Sequence, residues 1–279
     1  MHIFSYSFVQ LGLLAALILA GIHSYLGFHI VSRGVIFVDI SLAQAAAFGA
    51  VVALVIGFDP HSLSAYLLSF AFTLAGAALV SVSRTKDNRI PQEAFIGIIY
   101  ASFSTAVILV VAGRPEGMEE IEHMLAGSLL TVRVNDLIST AILYSAVGVI
   151  HWFLRGRFFR LSEDRAGAIA DGWSVGWWDF LFYALFGIVV TSSVHIAGVL
   201  LVFSLLVIPP VIALLFTKRQ GWRLFWGWTT AFISSLMGIF ISVSMNLPAG
   251  PSIIAAMVLL LTLCVVVRQL LTARESLWR

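Results

Sequence analysis

An all-α, polytopic transmembrane helical bundle of about nine spans is the fold this sequence predicts, with eight as the alternative count. Three observations predict it. Charged residues make up 11% of the 279-residue chain, less than half the roughly 25% of an ordinary soluble domain. Mean hydropathy is +1.02, more apolar surface than a soluble core of this size could hide, so lipid has to be part of the solvent. Apolar runs follow one another from end to end with no polar block long enough to fold alone, which predicts one transmembrane domain over residues 1–279.

A helix needs about 20 apolar residues to cross the hydrocarbon. Nine such stretches occur, at 7–27, 35–57, 62–83, 93–112, 134–154, 178–195, 198–217, 224–244 and 252–271. The first has no Lys or Arg before Arg33 and no small-residue cleavage site behind a charged start, so it reads as a retained span and not as a signal peptide. Asp39 falls early in the second. Pro91 and Glu93 open the fourth, Glu93 being placed to complement the helix dipole. Between the fifth and sixth spans, Ser162 is expected to cap a short helix that contains Arg165 and ends at Gly172. Only Ile196 and Ala197 separate the sixth from the seventh, which predicts a tight turn or a partly re-entrant segment. Pro209 and Pro210 should break or kink the seventh.

The basic residues orient the bundle. With nine spans, every one of the 16 Lys and Arg residues except Arg114 and Arg133 falls on one side. Basic residues accumulate on the cytoplasmic side, so the N-terminus is expected outside and the C-terminus in the cytoplasm. The eight tryptophans cluster near the expected inner interface, where amphipathic rings are stable. The outer loop carries Glu116, Glu119, Glu120, Glu122 and His123, and 118–130 has a helical pattern. It reads as a solvated loop, or as a surface attractive to a cation or an external protein. A net charge of +2 gives no reason to expect nucleic acid, and the single Cys264 excludes an intrachain disulfide.

Two inner segments, Ser162 to Gly172 and Pro209 to Arg223, read either as ordinary connectors or as a docking surface for a cytoplasmic motor. No GxxxxGK[ST] phosphate-binding loop occurs, and neither Lys86 nor Lys218 follows a glycine loop. The chain is therefore not expected to be an enzyme, and any ATPase must be a separate chain.

Ionisable groups at membrane depth are costly and usually face a pathway or a partner. Asp39 is the clearest, followed by His23 late in the first span and His195 at the outer end of the sixth. Gln44 lies five residues after Asp39, about 140° around a straight helix. Imidazole and carboxylate together suit zinc, manganese or iron, but each of these residues reads equally as a satisfied structural group. No HxxxH or HExxH spacing occurs. His2, His29, His61, His123 and His151 read as terminal, loop or interface residues.

Four stretches, 27–49, 91–102, 125–136 and 195–210, resemble in order and spacing the zinc/manganese/iron branch of ABC importer permeases, the integral subunits of bacterial metal-uptake systems. The resemblance covers about Gly21 to Leu271. It implies an inner-membrane, multi-pass permease for a divalent transition-metal ion, zinc first, with manganese and iron as alternatives. It also implies a homodimer, a cytoplasmic ATPase subunit, an extracytoplasmic metal-binding protein and no permanently bound cofactor. Asp39, Gln44, His195 and His23 become candidates for the translocation path. Glu163, Arg165, Pro209, Pro210, Lys218 and Arg219 become candidates for coupling to the ATPase. There is one departure: many members of that branch carry Asp and then His four residues later, whereas here Gln44 stands at the histidine position and Asp39 is shifted by one. A permease for a chelated or organic substrate and an ion-coupled secondary transporter stay open as alternatives.

Overall fold

A computed structural model describes residues 3–59, 62–84, 90–112, 127, 129–217 and 219–276. They form an all-helical chain: α1 (Ser7–Arg33), α2 (Val38–Val55), α3 (Leu63–Val82), α4 (Gln92–Val111), α5 (Val134–Glu163), α6 (Arg165–Ala170), α7 (Val175–Ala197), α8 (Val199–Phe216), α9 (Gln220–Met245) and α10 (Ala249–Ser276). Among the described residues nine helices, all but α6, are long and apolar enough to cross a membrane. His2, His61, His123, Lys218, Trp278 and residues 118–126 of the expected outer helix lie outside the described residues.

Helix ends follow local chemistry. Ser62 caps α3, its Oγ accepting from Ala65 N at 3.2 Å. Pro91 stands in extended backbone at the N-cap of α4, where its missing N–H costs nothing. The turn expected between the sixth and seventh spans reduces to Gly198 alone, at φ +76° and ψ 157°, a conformation that favours glycine.

Three expectations need correction. Ser162 does not cap the short helix: it lies inside α5, and Asp164 is the cap, its Oδ1 accepting from Gly167 N at 2.9 Å. The fifth span therefore runs nine residues beyond its apolar stretch. Arginine is a good helix former, and the extension gives each guanidinium a ring to lie on: Arg155 sits 4.1 Å over Trp152, and Arg157 sits 4.4 Å over Trp178. Of the break or kink expected at Pro209 and Pro210, the break does not occur, because α8 continues through both. His29 and His151 are buried and not terminal, loop or interface residues.

The described chain divides into two compact units. The first comprises Met1–Val31, Ser128–Ala141 and Leu200–Arg279. In it α9 packs on α10, and the Trp228 indole N–H donates to the Gly21 carbonyl at 3.0 Å. Helix α1 approaches α8 at Gly27, beside Leu206 and Pro210. The second unit comprises Ser32–Gly127 and Ile142–Val199. Helix α2 is its centre, packed against α3, α4 and α7. Its buried alanines at 43, 45, 46, 47 and 53 keep the helix slim enough for three neighbours. Hydroxyls satisfy one another in the same interior. Thr73 donates to the Ser69 carbonyl and lies 3.0 Å from the Thr191 hydroxyl, while Tyr144 donates to Ser193.

Candidate functional site

Two places in the second unit gather polar groups in an apolar setting. The first is the start of α2. Asp39 lies in its first turn and is 1% exposed. Its Oδ1 is buried with no hydrogen-bond partner among the described residues. A buried acceptor of this kind costs free energy unless something donates to it or coordinates it. Glu93, in the first turn of α4, directs its carboxylate to the same helix start, where Oε1 accepts the Ile36 N–H. The expected dipole partner of the fourth span thus serves the entry of the second as well. Its Oε2, together with Gln92 Oε1, is likewise buried without a partner among the described residues. Gln92 is fixed from its other end, Nε2 donating to the Val80 carbonyl at 3.0 Å. Gln44 is half-buried on α2, about 7.5 Å further along the axis from Asp39. These donors are oxygens.

The second place lies where α1 ends and α7 begins. Arg33 is 6% exposed and Asp179 is 1% exposed. Arg33 Nη1 donates to Asp179 Oδ1 at 2.9 Å, and Arg33 Nε donates to Ser162 Oγ at 2.9 Å. Ser162 in turn donates to the Phe158 carbonyl at 2.8 Å. The guanidinium of Arg33 stacks 4.0 Å over the Phe182 ring. The other oxygen of Asp179 accepts from Arg165 Nη1. Half-buried Arg84 stands beside this group. Burial first, then the charges of Arg165 and Arg33, pull its pKa below the ordinary arginine value, against the opposing influence of Tyr183 and Asp179. Around it the surface pairs are looser: Arg160 meets Asp171 at 2.6 Å and Asp164 at 3.8 Å, with all three exposed.

The remaining sequence candidates separate. His195 is exposed in the last turn of α7, sixteen residues beyond Asp179 and so about 24 Å along the axis from the end where Arg33 and the start of α2 lie. It is not brought to Asp39. His23 lies in the first unit, buried, with Nδ1 donating to the Leu19 carbonyl at 2.7 Å, which leaves Nε2 as the ring's acceptor. Among the described residues no three His, Cys, Asp or Glu side chains converge closely enough to hold a metal ion. Of the coupling candidates, Glu163 is exposed at the end of α5 and Arg165 is held by Asp179. Pro209 and Pro210 are buried inside α8, Arg219 is exposed at the N-cap of α9, and Lys218 is not described.

Sequence reasoning passed over Asp179 and the burial of Arg33. A signal was present. Asp179 is an acid just inside an apolar stretch, and Arg33 is the lone base between the first two spans; each costs too much at that depth unless it finds the other.

Comparison with known proteins gives a consistent picture. Residues 5–268 match the ABC 3 transport family. The chain is similar to the manganese transport system membrane protein MntC of Listeria monocytogenes, 24% identical over 98% of this chain and 93% of that one. It is similar to a protein of Haemophilus influenzae described as a probable iron transport system membrane protein, 26% identical over 89% of each chain. Among solved structures, PsaBC from Streptococcus pneumoniae in complex with Fab shares the fold at a TM-score of 0.78, with 23% identity over 94% of this chain and 92% of that one.

Proposed function

The chain belongs to the ABC 3 transport family, and from that premise we propose that it is the membrane-spanning permease of an ATP-driven importer for a divalent transition-metal ion. The observation that carries the reading to a particular place is Asp39, a buried carboxylate at the start of a central, crowded helix with one oxygen unsatisfied. A bare divalent cation crossing an apolar bundle faces a large desolvation cost. A fixed carboxylate on its route offsets part of that cost, and the low dielectric makes each such charge count for more than it would in water.

Donor chemistry selects among the ions. Asp39 and Gln44 offer oxygens where the resemblance to the metal-importer branch implies a carboxylate and an imidazole. Oxygen donors favour manganese, whereas imidazole suits zinc. We therefore place manganese(II) first and iron(II) second, in keeping with the manganese and iron transport named for the two relatives. Zinc, which the resemblance put first, comes after them. Incomplete coordination suits a conduit, which has to release its ion as well as accept it.

The rest of the assembly is proposed from chemistry the chain lacks. With no phosphate-binding loop in its sequence, the chain draws its energy from a separate cytoplasmic ATPase. An extracytoplasmic protein delivers the ion, and a second copy of the permease completes the path. The positive-inside rule puts the N-terminus outside and the α5–α6 connection in the cytoplasm, within a bacterial inner membrane. There α6, with Glu163 before it and Arg165 at its start, is the segment we read as meeting the ATPase; Pro209, Pro210, Lys218 and Arg219 keep the coupling role that the resemblance gives them.

The test is uptake into proteoliposomes, with manganese(II), iron(II) and zinc(II) offered separately. The chain is reconstituted with and without its ATPase and its binding protein. Uptake that requires both partners and ATP supports the proposal. Uptake by this chain alone under a proton or sodium gradient refutes it in favour of a secondary transporter.

A further inference from the structure

We propose that Asp179 is the positioning residue that ties the short helix α6 to the membrane-spanning helices, so that a displacement of α6 is passed on and not absorbed. This rests on the reading of the chain as a permease driven by a separate ATPase.

Four elements meet at one buried ion pair, Asp179 with Arg33. Oδ1 of Asp179 takes Arg33 Nη1, and Arg33 is the last residue of α1. Through Nε the same guanidinium takes Ser162 near the end of α5. Oδ2 takes Arg165, the first residue of α6. Asp179 itself stands in the second turn of α7. The ends of α1 and α5 and the starts of α6 and α7 are thereby joined through two buried side chains, Asp179 and its partner Arg33.

Helix α6 depends on this tie because it has little else. At six residues it is far below the length at which a helix holds together by itself. Its one fully buried side chain is Ala168, in a small cluster with Leu161, Val175, Trp173 and Trp178. The exposed pairs of Arg160 with Asp164 and Asp171 are of the kind that contributes little. The Asp179 pairs differ. Asp179 is buried and Arg33 is stacked on a ring, so neither charge can fall back on water if the other is lost. Ile169, 57% exposed on α6, presents an apolar side chain outward from the element that this tie holds.

Two measurements test the proposal. In proteoliposomes holding the permease, its ATPase and its binding protein, manganese(II) taken up per ATP hydrolysed is compared among wild type, Arg165→Gln, Arg165→Lys and Arg160→Gln. Arg165→Gln is expected to lower the ratio at least about fivefold while the ATPase subunit stays bound, with Arg165→Lys and Arg160→Gln within about twofold of wild type. In parallel, a spin label on Ile169→Cys, in a Cys264→Ser background, reports how firmly α6 is held. Its mobility should rise in Arg165→Gln and in Asp179→Asn and stay unchanged in Arg160→Gln. An unchanged ratio in Arg165→Gln overturns the proposal, as does loss of the ATPase subunit or failure of lysine to restore coupling. Unchanged label mobility overturns it too. Absence of ATP-dependent uptake in wild type refutes the importer reading alone, and the label measurement then decides the tie by itself.

Discussion

Gly27→Ala should destabilise the protein, and the structure sets the size of the effect. Pro210 has no N–H, so the carbonyl of Leu206, four residues earlier in α8, lacks its helical donor. That carbonyl faces α1 at Gly27. A Cβ added to Gly27 would lie 1.9 Å from Leu206 O, 2.8 Å from Leu206 C and 2.9 Å from Pro210 Cγ. An ordinary carbon–oxygen contact is about 3.4 Å, so α1 and α8 would have to part by about 1.5 Å. Overpacking of this kind costs about 1–3 kcal/mol, and backbone that cannot swing aside puts it near the top of that range. Alanine recovers about 1 kcal/mol of helix propensity, leaving a net loss of about 2 kcal/mol and a melting temperature lower by about 5 °C. Gly21, in the same helix, is the control: a Cβ added there would meet nothing within 4 Å, so Gly21→Ala should raise the melting temperature by about 2 °C. Both are read by thermal unfolding in detergent, followed by tryptophan fluorescence. Gly27→Ala melting at or above wild type would falsify the close approach.

The remaining predictions concern the start of α2. Asp39→Asn should lower ATP-dependent manganese(II) uptake at least about tenfold at unchanged expression, because it removes the charge and keeps the shape; wild-type uptake takes Asp39 off the path. Gln44→His should raise zinc(II) uptake relative to manganese(II) by about tenfold, since imidazole is the softer donor; an unchanged ratio places Gln44 away from the ion. Glu93→Ala strips the Ile36 N–H of its charged acceptor and should cost about 2 kcal/mol, seen as a drop of about 5 °C in the melting temperature; a drop no larger than that of an exposed substitution such as Glu163→Ala argues that water replaces the carboxylate.

Much of the fold was legible because membrane spans obey a simple length rule. Apolar stretches at 62–83 and 93–112 became helices at Leu63–Val82 and Gln92–Val111, since hydrophobic length sets roughly where such a helix can run and capping residues such as Ser62 fix its ends. The rule failed where polar side chains stay helical. Hydropathy ended the fifth span at residue 154, but Arg155, Arg157 and Arg160 continue it on aromatic faces. The candidate site was only partly legible. Asp39 stood out because a carboxylate in an apolar run is conspicuous. Its neighbour Glu93 comes from another helix start, and sequence spacing says nothing about which starts meet. His29 and His151 differ from expectation for the same reason: a histidine near the end of an apolar stretch looks interfacial until packing closes over it, as Phe182 of α7 does at His151 beside Phe158 of its own helix.

Helix α5 carries a further consequence. Its 30 residues make a rod about 45 Å long, against a hydrocarbon thickness of about 30 Å. Residues 134–154 match that thickness, so with them seated in the hydrocarbon the arginine-bearing final stretch of about two and a half turns reaches through the headgroup layer and sets α6 at its outer edge. The height of α6 above the bilayer is therefore a ruler reading taken from acyl-chain length. Lengthening the lipid tails draws that helix toward the headgroups and shortening them lifts it clear, so membrane thickness becomes a physical variable acting on the exposed Ile169 face.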